Sequence, residues 1–224
     1  MIRPLNVGAL LASYNRQGRT SPAPRDREAR MWPRHNPKMT DLAPVDPMGC
    51  IVVNGMPGAG KSTVTRLAAH LVPRAARVSG DDVNLMIVSG RVGFAGEPAD
   101  EAARQVELCL RNMCYLAANF VDFDFTVLMD TVVPDRNQLD LLVSLLRPRP
   151  VRLVTLASGA EACRQRNATR APVEQFDFDG YDLLDGSMRH GFGDRGWWFD
   201  TSRLGPADTA ERVVREVVEY EPLT

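Results

Sequence analysis

Ile51-Val52-Val53-Asn54-Gly55-Met56-Pro57-Gly58-Ala59-Gly60-Lys61-Ser62-Thr63 is the stretch on which the reading of this 224-residue chain turns. Gly55 to Ser62 carries the spacing G-x-x-x-x-G-K-S. A short apolar run, Cys50 to Val53, stands in front of it and reads as a buried strand. Behind it Val64, Leu67, Ala68 and Leu71 recur at i, i+3, i+4 and i+7, the period of an amphipathic helix. Strand, glycine-rich turn and helix together are the setting in which this spacing cradles phosphate. The glycines let the backbone curl until its N–H groups face an anion. The new helix adds the positive end of its dipole. Candidate nucleotide contacts are therefore Gly55, Met56, Pro57, Gly58, Ala59, Gly60, Lys61, Ser62 and Thr63. In this motif the lysine reaches the β- and γ-phosphates and the serine hydroxyl sits on Mg²⁺, which assigns those tasks to Lys61 and Ser62.

Downstream, strands and helices alternate. Ala76 to Ser79 reads as a strand and leads into Gly80-Asp81-Asp82. Glu101 to Ala118 has a helical apolar face of Val106, Cys109, Leu110, Met113 and Ala117. Phe125 to Met129 is an apolar strand that ends in Asp130. A helix over 135–146, a strand over 151–157, a helix over 159–168 and a further helix over 180–190 follow. Trp197 to Phe199 is a short strand, and Ala207 to Tyr220 a last helix with Ala210, Val213, Val214, Val217 and Val218 inward. Near-continuous apolar strands separated by helices predict an α/β fold, a five-stranded parallel sheet covered on both faces. Ligands of such sheets gather at the carboxyl ends of the strands. The polar groups of interest fall there: the loop, Asp81 and Asp82, Asp130, and Asp200.

Asp81 or Asp82 stands where a carboxylate can take the proton of a substrate hydroxyl. The alternative for Asp82 is a cap for the residues that follow it. Asp130 closes an apolar strand in the manner of a Walker B acid, which orients Mg²⁺ or its water; a turn or cap role is the plainer alternative. Arg164, Arg166 and Arg170 lie on and just beyond one helix, at spacings that do not put all three on one face. One of them on a mobile flap would clamp the transferring phosphoryl group; a solvated helix end is the alternative. Trp197-Trp198-Phe199 reads as core.

Composition sets the outer limits. Residues 1–48 hold eight basic and four acidic side chains and seven of the sixteen prolines, a net charge of +4; the remainder is −5. An acidic domain disfavours nucleic acid as partner. The first 48 residues read as a disordered tail, or as the product of a start placed too early, with Met39 or Met48 the true beginning. Residues 49–224 form the domain. Cys50, Cys109, Cys114 and Cys163 lack ligand or disulfide spacing and read as reduced core residues, which points to the cytoplasm. No apolar run reaches the roughly 18 residues of a membrane span. Lys61 is the only lysine after Lys38, so the base-reading N-K-x-D motif of guanine-nucleotide proteins is absent and ATP is the expected nucleotide.

Gly55–Thr63, Gly80-Asp81-Asp82, Asp130, the arginines after the fourth strand, and Trp198-Phe199-Asp200-Thr201-Ser202 resemble the small P-loop kinases. Among these the chain resembles the chloramphenicol phosphotransferase-like and tunicamycin-resistance-like proteins, with zeta toxins as cousins. The resemblance covers about residues 49–220. It implies a three-layer αβα P-loop NTPase fold of kinase type, with ATP and Mg²⁺ as cofactors and a small-molecule hydroxyl as phosphate acceptor. Its proposed base maps to Asp81 or Asp82. Its flap arginines map to Arg164, Arg166 or Arg170, with Arg166 and Arg170 the catalytic candidates and Arg164 the nucleotide-binding one. Ser62 and Asp130 would serve the metal. Alternatives are a toxin-like nucleotide-sugar kinase and a non-catalytic ATP-binding module whose tail recruits a partner; a polynucleotide kinase is disfavoured by the acidity.

Overall fold

The computed structural model describes residues 48–93, 96–169, 175, 178 and 180–223. Residues 1–47 of the tail and Arg170 lie outside the described residues. Five strands form one sheet in the order β2-β3-β1-β4-β5. They are β1 (Cys50–Asn54), β2 (Ala75–Ser79), β3 (Thr126–Asp130), β4 (Val151–Leu156) and β5 (Trp197–Phe199). Every neighbouring pair is parallel. All residues of β1 and β3 are buried, as expected of central strands that are apolar throughout. The register places Asp130 beside both Val53 and Ser79, so three strand ends meet at one point.

The connecting helices are α1 (Lys61–Leu71), α2 (Gly80–Asn84), α3 (Ala99–Asp122), α4 (Arg136–Leu146), α5 (Ala160–Ala168), α6 (Tyr181–Phe192) and α7 (Pro206–Glu216). Helix α1 packs on α7 over one face of the sheet, and α3 on α4 over the other, which makes three layers. Leu139, Leu142, Val143 and Leu146 of α4 and Leu110, Met113 and Ala117 of α3 are buried, following the 3.6-residue period. Asp135 caps α4 by accepting from Gln138 N at 2.9 Å.

Three details differ from the sequence reading. Helix α3 runs four residues further, to Asp122. The last helix tightens to a 3₁₀ turn at Val217–Glu219, which shifts its phase and leaves Val218 half exposed. Asp82 is no cap: α2 begins earlier, and the Ser79 side chain accepts from Asp82 N. Ser79 wins because its extended backbone already sits at the strand end. Trp197 is buried, stacked between Phe199 and Tyr220 at 4.3 and 5.0 Å, in keeping with a core role.

Candidate active site

The loop between β1 and α1 closes on itself. Ala59 N donates to Met56 O at 3.0 Å, and Val64 N to Gly60 O at 2.9 Å. Met56 and Ala59 turn their side chains into the core, so the loop offers its backbone to the outside. Gly60 has φ 95°, and Gly58 has φ 84° with its α-carbon pressed against α5. A methyl group at Gly58 would stand 2.4 Å from the Cys163 carbonyl oxygen. Lys61 Nζ donates to Gly55 O and Met56 O at 2.8 and 3.0 Å, which puts its ammonium over the loop. Behind it the buried Asn54 accepts from Val133 N at 2.8 Å and donates to Thr155 Oγ1, tying β1 to the segment after β3 and to β4.

Asp130 is the hub on the other side of Ser62. Its Oδ1 accepts from Ser62 Oγ at 3.2 Å. Its Oδ2 accepts from Thr65 Oγ1 at 3.0 Å and from Arg77 Nη2 at 2.7 Å. Only 4 % of the Asp130 side chain is exposed, so the charge needs these donors. Arg77 also donates to Thr65 Oγ1 at 3.2 Å and pairs with Asp82 at 3.3 Å. The plainer reading of Asp130, a cap or turn residue, does not fit these partners.

Asp81 and Asp82 part ways in the first turn of α2. Asp82 points back to Arg77 and is thereby linked to Asp130. Asp81 is exposed and forms no ion pair among the described residues. It faces α3: burial pushes the Cys109 thiol up, and the Asp81 charge pushes it further. Cys109 Sγ in turn donates to Gly80 O at 3.4 Å. The segment that follows is pinned to α3 through Gln105, which accepts from Val92 N and donates to Gly90 O, both at 2.8 Å.

The arginines of α5 also diverge. Two residues on a helix are about 200° apart, so Arg164 and Arg166 face opposite ways. Arg164 pairs with Asp182, lies 3.6 Å from Glu161 and rests 5.5 Å over the Tyr181 ring; the structure does not bring it to the loop. Arg166 lines a cavity of about 310 Å³ with Gly58, Gly60, Thr63, Thr201 and Thr209. That volume is at the small end of the roughly 300–1,000 Å³ of ligand clefts.

Sequence reasoning missed Thr65, Arg77 and this cavity wall. Thr65 stands three residues after Ser62, on the same helical face, which was a usable signal. A lone arginine in the short strand Ala-Ala-Arg-Val-Ser was another, because parallel strands are otherwise apolar.

The described residues fit a divalent cation. Ser62 gives a neutral oxygen and Asp130 a carboxylate, the hard donors that Mg²⁺ prefers. Among the described residues no three His, Cys, Asp or Glu side chains cluster.

A family model described as an AAA domain matches residues 50–185, more than half of the chain. The chain belongs to the AAA-domain family. Solved structures similar to this AAA-domain chain include a sugar kinase from Janibacter sp. HTCC2649, at 20 % identity and TM-score 0.56, covering 75 % of this chain and 94 % of that one. A tunicamycin resistance protein from Deinococcus radiodurans aligns at 19 % identity and TM-score 0.57, covering 80 % and 99 %. A gluconokinase from Sinorhizobium meliloti 1021 aligns at 17 % identity and TM-score 0.55, covering 78 % and 94 %. These likenesses establish the P-loop kinase-type fold. No curated protein matches. Among the described residues no helix is long and apolar enough to cross a membrane.

Proposed function

We propose that the protein is an ATP-dependent phosphotransferase that moves the γ-phosphoryl group of ATP onto a hydroxyl of a small molecule. One observation carries the reading: the loop with Lys61, the Ser62–Asp130 pair and the Asp81 carboxylate, which forms no ion pair among the described residues, all stand at the same end of the parallel sheet. The kinases among the structural neighbours support it at the level of chemistry class.

The backbone of Gly58 to Ser62 and the N-terminus of α1 hold the phosphates. Lys61 moves from the loop carbonyls to the β- and γ-phosphates and neutralises charge as it develops. Arg166 borders the cavity in which the nucleoside part lies. Ser62 and Asp130 would hold Mg²⁺, which would supply positive charge to the phosphates. Asp81 accepts the acceptor's hydroxyl proton, since Asp82 is engaged with Arg77. The acceptor oxygen bonds to the γ-phosphorus, the bond to the bridging oxygen breaks, and ADP leaves. Residues 49–224 make up this domain, and a cytoplasmic setting supplies ATP and keeps the four free thiols reduced. The tail is outside the reaction, and the acidic domain argues against nucleic acid as acceptor.

The Lys61→Ala variant tests the reading. Its ATP turnover should fall about 10²–10³-fold, as when an electrostatic stabiliser of the transition state is removed. Turnover equal to wild type would refute it.

A further inference from the structure

Phosphoryl transfer as proposed above uses the loop, Asp130, Asp81 and Arg166, and leaves Arg77 without a role. Yet Arg77 is the one cation in contact with the buried Asp130 carboxylate, at 2.7 Å among the described residues. We propose that Arg77 is the resident counter-ion of Asp130 and sets the affinity of the site for a divalent cation. It is a positioning residue, and the inference rests on the reading of Ser62 and Asp130 as the protein side of the cation site.

The argument is one of competition. The Asp130 side chain is 4 % exposed, so its charge has little water to screen it. Its other donors, the Ser62 and Thr65 hydroxyls, are neutral and satisfy lone pairs without cancelling charge. Arg77 supplies the positive charge on Oδ2, while Oδ1 faces Ser62. A cation shared by Ser62 and Asp130 meets a carboxylate already half neutralised and a guanidinium of like charge beside it. Two cations that draw on one carboxylate weaken each other by the same factor. The pair with Asp82 steers the guanidinium but, with Asp82 67 % exposed, holds it only loosely. The domain is thus stable without metal, and the cation arrives with the nucleotide phosphates rather than waiting in the site.

Mn²⁺ titration of the full chain, with free Mn²⁺ followed by electron paramagnetic resonance in the presence of a non-hydrolysable β,γ-imido ATP analogue, tests this. Arg77→Ala should bind Mn²⁺ about tenfold more tightly than wild type, because a nearby like charge is gone. Arg77→Lys, which keeps the charge, and Thr65→Val, which removes hydrogen bonds but no charge, should stay within about threefold of wild type. If Arg77→Ala does not fold, Arg77→Gln carries the same expectation. A melting temperature that Mg²⁺ alone raises in the uncharged variant but not in wild type is the second readout. An uncharged variant that binds Mn²⁺ no more tightly than wild type, or a lysine variant as tight as the uncharged one, overturns the proposal. A wild type that takes up no Mn²⁺ beside the analogue overturns the cation site itself.

Discussion

Ser62 Oγ donates to Asp130 Oδ1 across 3.2 Å, joining residues 68 positions apart in the chain. A serine hydroxyl has one proton and two lone pairs. With the proton committed to Asp130, the lone pairs are left for a hard cation. Asp130→Asn keeps the shape but removes the charge and sets an amide against Arg77. ATP turnover should fall about 10²–10³-fold. Urea unfolding should show a loss of about 3 kcal/mol, the low end for breaking a buried ion pair, since Arg77 is 28 % exposed. Full turnover in this variant would remove Asp130 from the site.

The two neighbouring carboxylates separate by partner. Asp82 is paired with Arg77, and Asp81 faces α3. Asp81→Asn should lower kcat about 10²–10⁴-fold, the range for loss of a general base, with ATP affinity unchanged by calorimetry. Asp82→Asn should cost less than about tenfold. The reverse order of effects would exchange their roles.

Loop strain is expected to be unequal at its glycines. Gly60 has φ 95° and open space around a would-be methyl group, so Gly60→Ala should cost only the left-handed backbone, about 1–2 kcal/mol. At Gly58 the methyl would also strike the Cys163 carbonyl at 2.4 Å, which should add about 1–3 kcal/mol. Urea midpoints of the two variants compare them directly, and equal midpoints would mean that the loop and α5 are not packed as described.

How much of this could be read beforehand depends on distance along the chain. Phosphate loop, strand–helix alternation and the apolar face of α4 are local patterns, and each was legible. The partner of Asp130 was not, because Arg77 meets it across 53 residues and only the β2–β3 register brings them together. The cap of α2 was misread because Ser and Asp are both good caps, and the choice rests on where β2 ends. A spacing of two keeps Arg164 and Arg166 off one helical face. Which one faces the loop is fixed by α6, whose Asp182 takes Arg164.

Burial of cysteine gives a pH dependence with a definite sign. The Cys114 thiol is pushed up from 9.0 to about 12, chiefly by burial, against a smaller lowering by Arg111. A thiol raised on folding adds stability in full below its unfolded value and loses it as pH climbs toward the folded one. Between about pH 9 and 12 stability should therefore decline, by up to about 1.4 kcal/mol per pH unit from this group. Urea unfolding at pH 8 and pH 10 under reducing conditions should show a shallower decline for Cys114→Ala than for wild type. Identical declines would exclude Cys114 as a source.

Phosphate transfer itself is the most direct measurement. The full chain is incubated with γ-labelled ATP, Mg²⁺ and a panel of hydroxylated metabolites and antibiotics, and products are separated and weighed by mass spectrometry. The account predicts a labelled phosphomonoester of at least one acceptor, formed with ADP in equal amount and about 10²–10³-fold more slowly with Lys61→Ala. ATP bound by the loop but no γ-phosphate transferred to any hydroxyl, or a product that forms as fast with Lys61→Ala as with wild type, would contradict it.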